Sequence, residues 1–169
     1  LDANLGVYTL ATDGTSIFAG GYFTTIDGTT RNRIASFNST TGSLTDWNPN
    51  ANSVVWNILT IGENIYAAGS FTNIGGNSRS YLVGLDPVDG TPTSWDPNPN
   101  NAVTQILTSG SNIYALGDFT SIGGQSRNYL GAVDITTASA TSWDPSPNNP
   151  AYEMYINGST VYVGGSFVT

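Results

Sequence analysis

The chain has 169 residues and a formal charge of −8, from 12 acidic residues against four arginines, with no lysine, histidine or cysteine. Such an acidic surface disfavours nucleic acid and anionic membranes as partners, and the missing cysteines exclude disulfides and thiolate metal sites. Only 9% of residues are charged while aromatics reach 11%, which fits a packed fold of short strands and tight turns better than disorder. No apolar run approaches the ~18 residues that a membrane helix needs, so membrane insertion is not expected.

Leu1 to Asn4 match Pro49 to Asn52, the end of a repeat, so the array is expected to begin before this chain does. Leu5 to Thr12 reads as a strand, repeated as Ser53–Thr60, Asn101–Thr108 and Asn149–Ile156. A tight turn follows each time: Asp13-Gly14, Gly62-Glu63, Gly110-Ser111 and Asn157-Gly158. Of these, Asp13-Gly14 and Asn157-Gly158 suit a two-residue hairpin of type I′, which needs positive φ at both central residues. The next strand, Ile65 to Ser70 in the second unit, alternates Ile65, Ala67 and Gly69 with Tyr66, Ala68 and Ser70. Its small residues leave room for a neighbouring sheet to approach closely.

A loop, Phe71 to Arg79, leads to a third strand, Ser80 to Asp86, and a fourth that ends at Trp95. The second unit is thus expected to place strands near 54–60, 64–70, 80–86 and 92–96. The Pro-rich segments after each Trp cannot join a ladder and read as connections. Trp47, Trp95 and Trp143 stand 48 residues apart, as do Phe23, Phe71, Phe119 and Phe167. A tandem array of that period predicts an all-β fold, a β-propeller of four-stranded antiparallel blades. The blades fall near 5–52, 53–100 and 101–148, with a half blade at 149–169. The chain is therefore expected to be a partial ring of about 3.5 blades whose partner is the remainder of a longer propeller chain, since closed rings have four to eight. Pairing two chains would leave each half blade without outer strands.

The segments Ile113-Tyr114-Ala115-Leu116-Gly117, Tyr129 to Asp134 and Trp143-Asp144-Pro145 resemble a kelch-type blade. The whole unit, with Phe71 to Arg79 and Asp86 to Trp95, resembles more closely the bacterial delta-60 type propeller repeat. That resemblance implies a large surface or secreted protein and no known catalytic residues. The hairpin before Trp also resembles that of quinoprotein propellers, but with spacing one residue longer and Ala138 in place of Gly.

Trp47, Trp95 and Trp143 occur once per unit and are expected to dock each blade on the next. Arg31, Arg79 and Arg127 share one repeat position, which argues for a structural pair with a carboxylate such as Asp86 or Asp134. An EF-hand pattern is absent. A serine triad and galactose-oxidase-like copper chemistry lack their His or Cys, and a glycosidase pair would need Asp partners for Glu63 or Glu153. No catalytic, cofactor or metal residue is therefore assigned.

Positions that vary between repeats are better ligand candidates. The first strand opens with Tyr8, Trp56, Thr104 or Tyr152, followed by Thr9, Asn57, Gln105 or Glu153, and the loop carries Asn77 and Gln125. Aromatic and amide groups on one rim suit a glycan or protein ligand. The functional expectation is a non-enzymatic module for adhesion, binding or scaffolding, extracellular or at the cell surface. The alternative is part of a propeller enzyme, a hydrolase or quinoprotein, with its catalytic residues outside this chain.

Overall fold

The computed structural model describes residues 2–168. The strands are β1 (Val7–Thr12), β2 (Ser16–Gly21), β3 (Thr25–Ile26), β4 (Thr29–Thr30) and β5 (Ile34–Asn38) in the first unit. The second holds β6 (Val55–Ile61), β7 (Asn64–Gly69), β8 (Asn73–Ile74), β9 (Asn77–Ser78) and β10 (Leu82–Leu85). The third holds β11 (Val103–Ser109), β12 (Asn112–Gly117), β13 (Ser121–Ile122), β14 (Gln125–Ser126) and β15 (Leu130–Asp134), and the last β16 (Ala151–Asn157) and β17 (Thr160–Gly165). All the pairings are antiparallel, and no helix occurs among the described residues.

Each main sheet has its middle strand second in the chain: β1-β2-β5, β6-β7-β10 and β11-β12-β15, with β16–β17 as a two-stranded sheet. The predicted fourth strand is not formed as such. Its segment makes one isolated bridge per unit, Leu44 to Phe37, Pro92 to Leu85 and Ala140 to Val133. The reason lies in the residues that follow. Thr93 N–H still donates to Gly84 O at 2.9 Å, but Thr93 Oγ1 accepts the N–H of Trp95 at 3.2 Å and the return bond from Gly84 N–H to Trp95 O is stretched to 3.5 Å, so regular pairing stops there. Pro92 in addition has no N–H to give.

The loop expected at Phe71–Arg79 contains the small hairpin β8–β9, turned by Gly75 and Gly76 at φ of 59° and 74°. The long hairpins also differ from expectation. Between Ile61 and Asn64 only Gly62 has positive φ, and Gly110 and Gly158 hold the same place in their turns. Positive φ at the first central residue alone is the type II′ pattern; Asn157, expected inside a type I′ turn, is instead a strand residue paired with Thr160, and Gly158-Ser159 is the turn. In the first unit Asp13 N–H reaches Ser16 O at 3.4 Å, so Gly14, at φ 95°, and Thr15 form the turn and Asp13 lies outside it.

The sheets stack face to face, and the two-residue alternation decides which junction each side chain enters. Ile65 and Ala67 pack with Phe18, Ile34 and Trp47 of the preceding sheet, while Tyr66 and Ala68 pack with Ile106, Ile113 and Ala115 of the following one. Both faces of the middle strand are buried, which is why it tolerates only apolar or small residues. Trp47 and Trp95 cross these junctions. Their Nε1–H groups donate to Asp86 O at 2.9 Å and Asp134 O at 3.1 Å in the next unit. Trp47, Trp95 and Trp143 also meet Phe18, Tyr66 and Tyr114 edge to face at 5.1, 4.8 and 5.1 Å.

Two of the three arginines pair with a carboxylate of their own unit, but not with those expected, while Arg31, whose repeat equivalent of Asp96 is Asn48, donates to Thr45 O at 2.7 Å instead. Arg79 lies 3.5 Å from Asp96 and Arg127 3.3 Å from Asp144. Asp86 and Asp134 are instead turn acceptors: Asp134 Oδ1 takes the N–H groups of Thr137 and Thr136 at 2.8 and 2.9 Å. Those bonds hold its carboxyl below the ordinary value of 3.8, and bonds from Thr91 do the same for Asp89. A carboxyl depressed in the folded state adds stability above its unfolded value and loses it as pH falls through the folded one. The thermal midpoint should therefore hold steady above about pH 5 and fall below the ordinary carboxylate range. Asp134→Ala should show a shallower acid loss than the unaltered chain in the same scan, and equal slopes would remove this turn from the account.

Candidate functional site

The inner strands β1, β6, β11 and β16 open with the same defect. Val55 pairs with Gly69 and Asn57 with Ala68, so Trp56 has no partner of its own. The same register shift falls between Val7 and Thr9, Val103 and Gln105, and Ala151 and Glu153. A β-bulge of this kind re-aims the extra side chain. The extra residues are Tyr8, Trp56, Thr104 and Tyr152, and all four are exposed.

The bulge depends on the glycine opposite. A Cβ on Gly69 would lie 2.2 Å from Val54 O, and on Gly21 2.2 Å from Gly6 O. Gly69 N–H in turn donates to Tyr81 O at 2.8 Å, and Tyr81 stands at φ 67°, as Arg33 and Tyr129 do at 66° and 62°. Left-handed backbone is strained for bulky side chains, and such strain persists only where the surroundings hold it. Bulge, glycine and strained residue thus meet at one end of each three-stranded sheet.

At the junction of the first two units this end presents exposed aromatic side chains. The rings of Tyr8 and Trp56 stack at 5.2 Å with 16° between their planes, and Trp56 Nε1–H donates to Ser70 Oγ at 2.9 Å. Arg33 lies 4.3 Å over the ring of Tyr22, and its guanidinium donates to Tyr22 O. Tyr152 is exposed at the equivalent place in the last unit, and Thr104 interrupts the series.

The structure treats the other candidates differently. Asn57 and Gln105 face the next inner strand: Asn57 Oδ1 accepts from Ile106 N at 3.0 Å and Gln105 Oε1 from Met154 N at 2.7 Å. Thr9 Oγ1 does the same for Ile58 N at 3.2 Å. Gln105 Nε2 also donates to Glu153 Oε1 at 2.7 Å. These amides therefore bond sheet to sheet. Asn77 and Gln125 sit exposed in the small hairpins, where Asn77 Nδ2 bonds Gly75 O of its own turn at 2.8 Å.

Residue typing missed Tyr22, Arg33, Tyr81 and Tyr129, and the signal available for them was the glycine that ends each second strand. A cleft of about 360 Å³ runs beside Tyr66, Trp95 and Ile135, and another of about 540 Å³ beside Asp13, Glu63 and Val88. No group of three or more His, Cys, Asp or Glu side chains gathers to hold a metal among the described residues.

The family described as "Domain of unknown function (DUF5122) beta-propeller" matches residues 16–44 and 64–92. Both stretches begin with a middle strand and end in the segment before Trp, so the repeat is a β-propeller repeat. No curated protein matches the chain. Among solved structures, the computationally designed Ika4 protein superposes with a TM-score of 0.70 at 12% identity, over 98% of this chain and 88% of that one. The computationally designed Ika8 protein gives 0.66 at 12% identity, over 94% of this chain and 42% of that one. Identities this low speak to the fold alone.

Proposed function

We propose that the chain is a non-enzymatic binding module of a secreted or cell-surface protein, and that its ligand is a neutral glycan held on the aromatic end of the inner strands. Each unit serves as a propeller blade of a partial ring, with the segment before Trp as a fourth strand reduced to one bridge. The observation that carries the reading is the repeated bulge, which lifts Tyr8, Trp56 and Tyr152 out of the sheets and stacks the first two. Exposed rings offer an apolar face for sugar C–H groups, and Tyr O–H a polar tip. A charge of −8 disfavours acidic glycans. No feature of the described residues favours the alternative, a propeller hydrolase or quinoprotein.

The test is a neutral-glycan array followed by calorimetric titration of the strongest binder. Trp56→Ala and Tyr8→Ala should each weaken binding at least about tenfold, an effect of the order of 1.4 kcal/mol. The thermal midpoint of Tyr8→Ala should change little, because that side chain is 52% exposed, whereas Trp56, 37% exposed and bonded to Ser70 Oγ, should lose some stability as well. Unchanged affinity in both variants, or no glycan bound at all, would reject the site.

A further inference from the structure

The cleft of about 360 Å³ between the second and third units lies at the hairpin end of the sheets, away from the end that carries Tyr8 and Trp56. Its walls are the residues flanking the β6–β7 turn, the end of β10, the segment Thr93 to Trp95, and Ile135-Thr136 of the third unit. None of the side chains that line it is charged. Ile61, Leu85 and Ile135 supply apolar surface, while Tyr66, Ser94 and Thr136 supply hydroxyls.

Tyr66 sets this cleft apart. Its ring packs edge to face on Trp95 at 4.8 Å, and the residue is only 4% exposed. Its hydroxyl nevertheless has no hydrogen-bond partner among the described residues. A Tyr buried to this degree usually finds a partner for its O–H. Nor is the hydroxyl sealed in the core: the polar side-chain atoms that are both fully buried and without a partner are the Nε atoms of Arg31, Arg79 and Arg127. The little exposure that Tyr66 keeps is where it lines the cleft, and its donor is open to what fills that space. Burial also raises the phenol above its ordinary value of 10.0, so the donor stays protonated across the neutral range.

The neighbouring junction shows how particular this arrangement is. The cleft of about 540 Å³ between the first two units has Pro87 and Val88 in its wall, the repeat equivalents of Ile135 and Thr136. It has Asp13 where the smaller cleft has Ile61, and it carries Glu63 as well. The place of Tyr66 is taken in the first unit by Phe18, which has no hydroxyl and does not line that cleft.

We infer that the cleft beside Tyr66 is a second ligand site, for a neutral molecule the size of one sugar ring that places an oxygen acceptor on Tyr66 O–H. The volume sets the size, since ligand pockets run from about 300 to 1,000 Å³ and this one is at the small end. The uncharged walls set the charge, because an ion there would lose solvation and gain no counter-ion. A single pyranose meets the remaining demands, with C–H groups for Ile61 and Ile135 and oxygens for Tyr66, Ser94 and Thr136. The site is independent of the glycan surface proposed at Tyr8 and Trp56.

The test follows amide and indole N–H resonances by heteronuclear NMR. The chain is titrated with glucose, galactose, mannose and N-acetylglucosamine, and with glucuronate as the charged counterpart. One ring makes few contacts, so millimolar affinity is expected. At least one neutral sugar should shift the amides of Ile135 and Thr136 and the Trp95 indole, and glucuronate should not. The Trp56 indole reports the aromatic end separately, so failure of one site is seen apart from failure of the other. Tyr66→Phe should weaken binding about five- to tenfold, the share of one neutral hydrogen bond. Phe18 holds the equivalent place in the first unit, so the variant keeps the ring that packs on Trp95 and should keep the spectrum of the folded chain. No shift at Ile135 and Thr136 with any neutral sugar, an equal response to glucuronate, or unchanged affinity in Tyr66→Phe would each overturn the inference.

Discussion

Trp95→Ala is expected to lower stability by about 3–5 kcal/mol, the range for truncating a buried large aromatic side chain. Three separate contacts of Trp95 end together. Its ring is buried between the second and third sheets, its Nε1–H bond to Asp134 O at 3.1 Å is lost, and Tyr66 loses its edge-to-face neighbour. The Asp134 carbonyl also loses its indole donor, which adds to the area term. Asn77→Ala, on an exposed hairpin, should stay within about 0.5 kcal/mol. Urea titration of the two variants is the check. Coincident midpoints would mean that the Trp does not dock one sheet on the next.

Gly117→Ala should destabilise by about 1–3 kcal/mol or somewhat more, as overpacking does in a site that cannot relax. A Cβ there would lie 2.1 Å from Ala102 O and 2.8 Å from Val103 Cα, both backbone atoms fixed by the opening of β11. Gly164→Ala is the matched control. It lies in β17, nothing stands within 4 Å of its added Cβ, and Leu116 occupies the equivalent place in the third unit. That substitution should be within about 0.5 kcal/mol of neutral. Equal thermal midpoints for the two variants would show that the bulge needs no glycine opposite it. A loss confined to Gly117→Ala would tie the extruded side chains to the backbone contact beneath them.

The reach of the sequence is clearest at the Trp. Its 48-residue spacing and its place before a Pro-rich connection were enough to predict a residue that docks one unit on the next. The carbonyl it would bond was not legible, because Asp86 and Asp134 drew attention through their side chains, whereas the indole uses their backbone oxygen. The arginines show the same limit. One repeated position implied a structural pair, but Asp96 and Asp144 were nearer than the residues named, a matter of how the fourth segment swings out.

Asn57 and Gln105 looked like rim amides beside an aromatic, and a bulge of one residue turned the aromatic out and the amide towards the next strand. Alternation by two cannot show this, because a bulge resets the alternation without changing a single residue.

By itself, then, the sequence determined the repeat, the antiparallel strands, the apolar faces and the turn glycines, since these follow from local periodicity and backbone sterics. Only the tertiary structure decided which sheet each face meets: Ile65 and Ala67 enter the junction with the first unit, Tyr66 and Ala68 the junction with the third. The same holds for the stacked pair of Tyr8 and Trp56, 48 residues apart in the chain and brought to 5.2 Å by the step from one unit to the next.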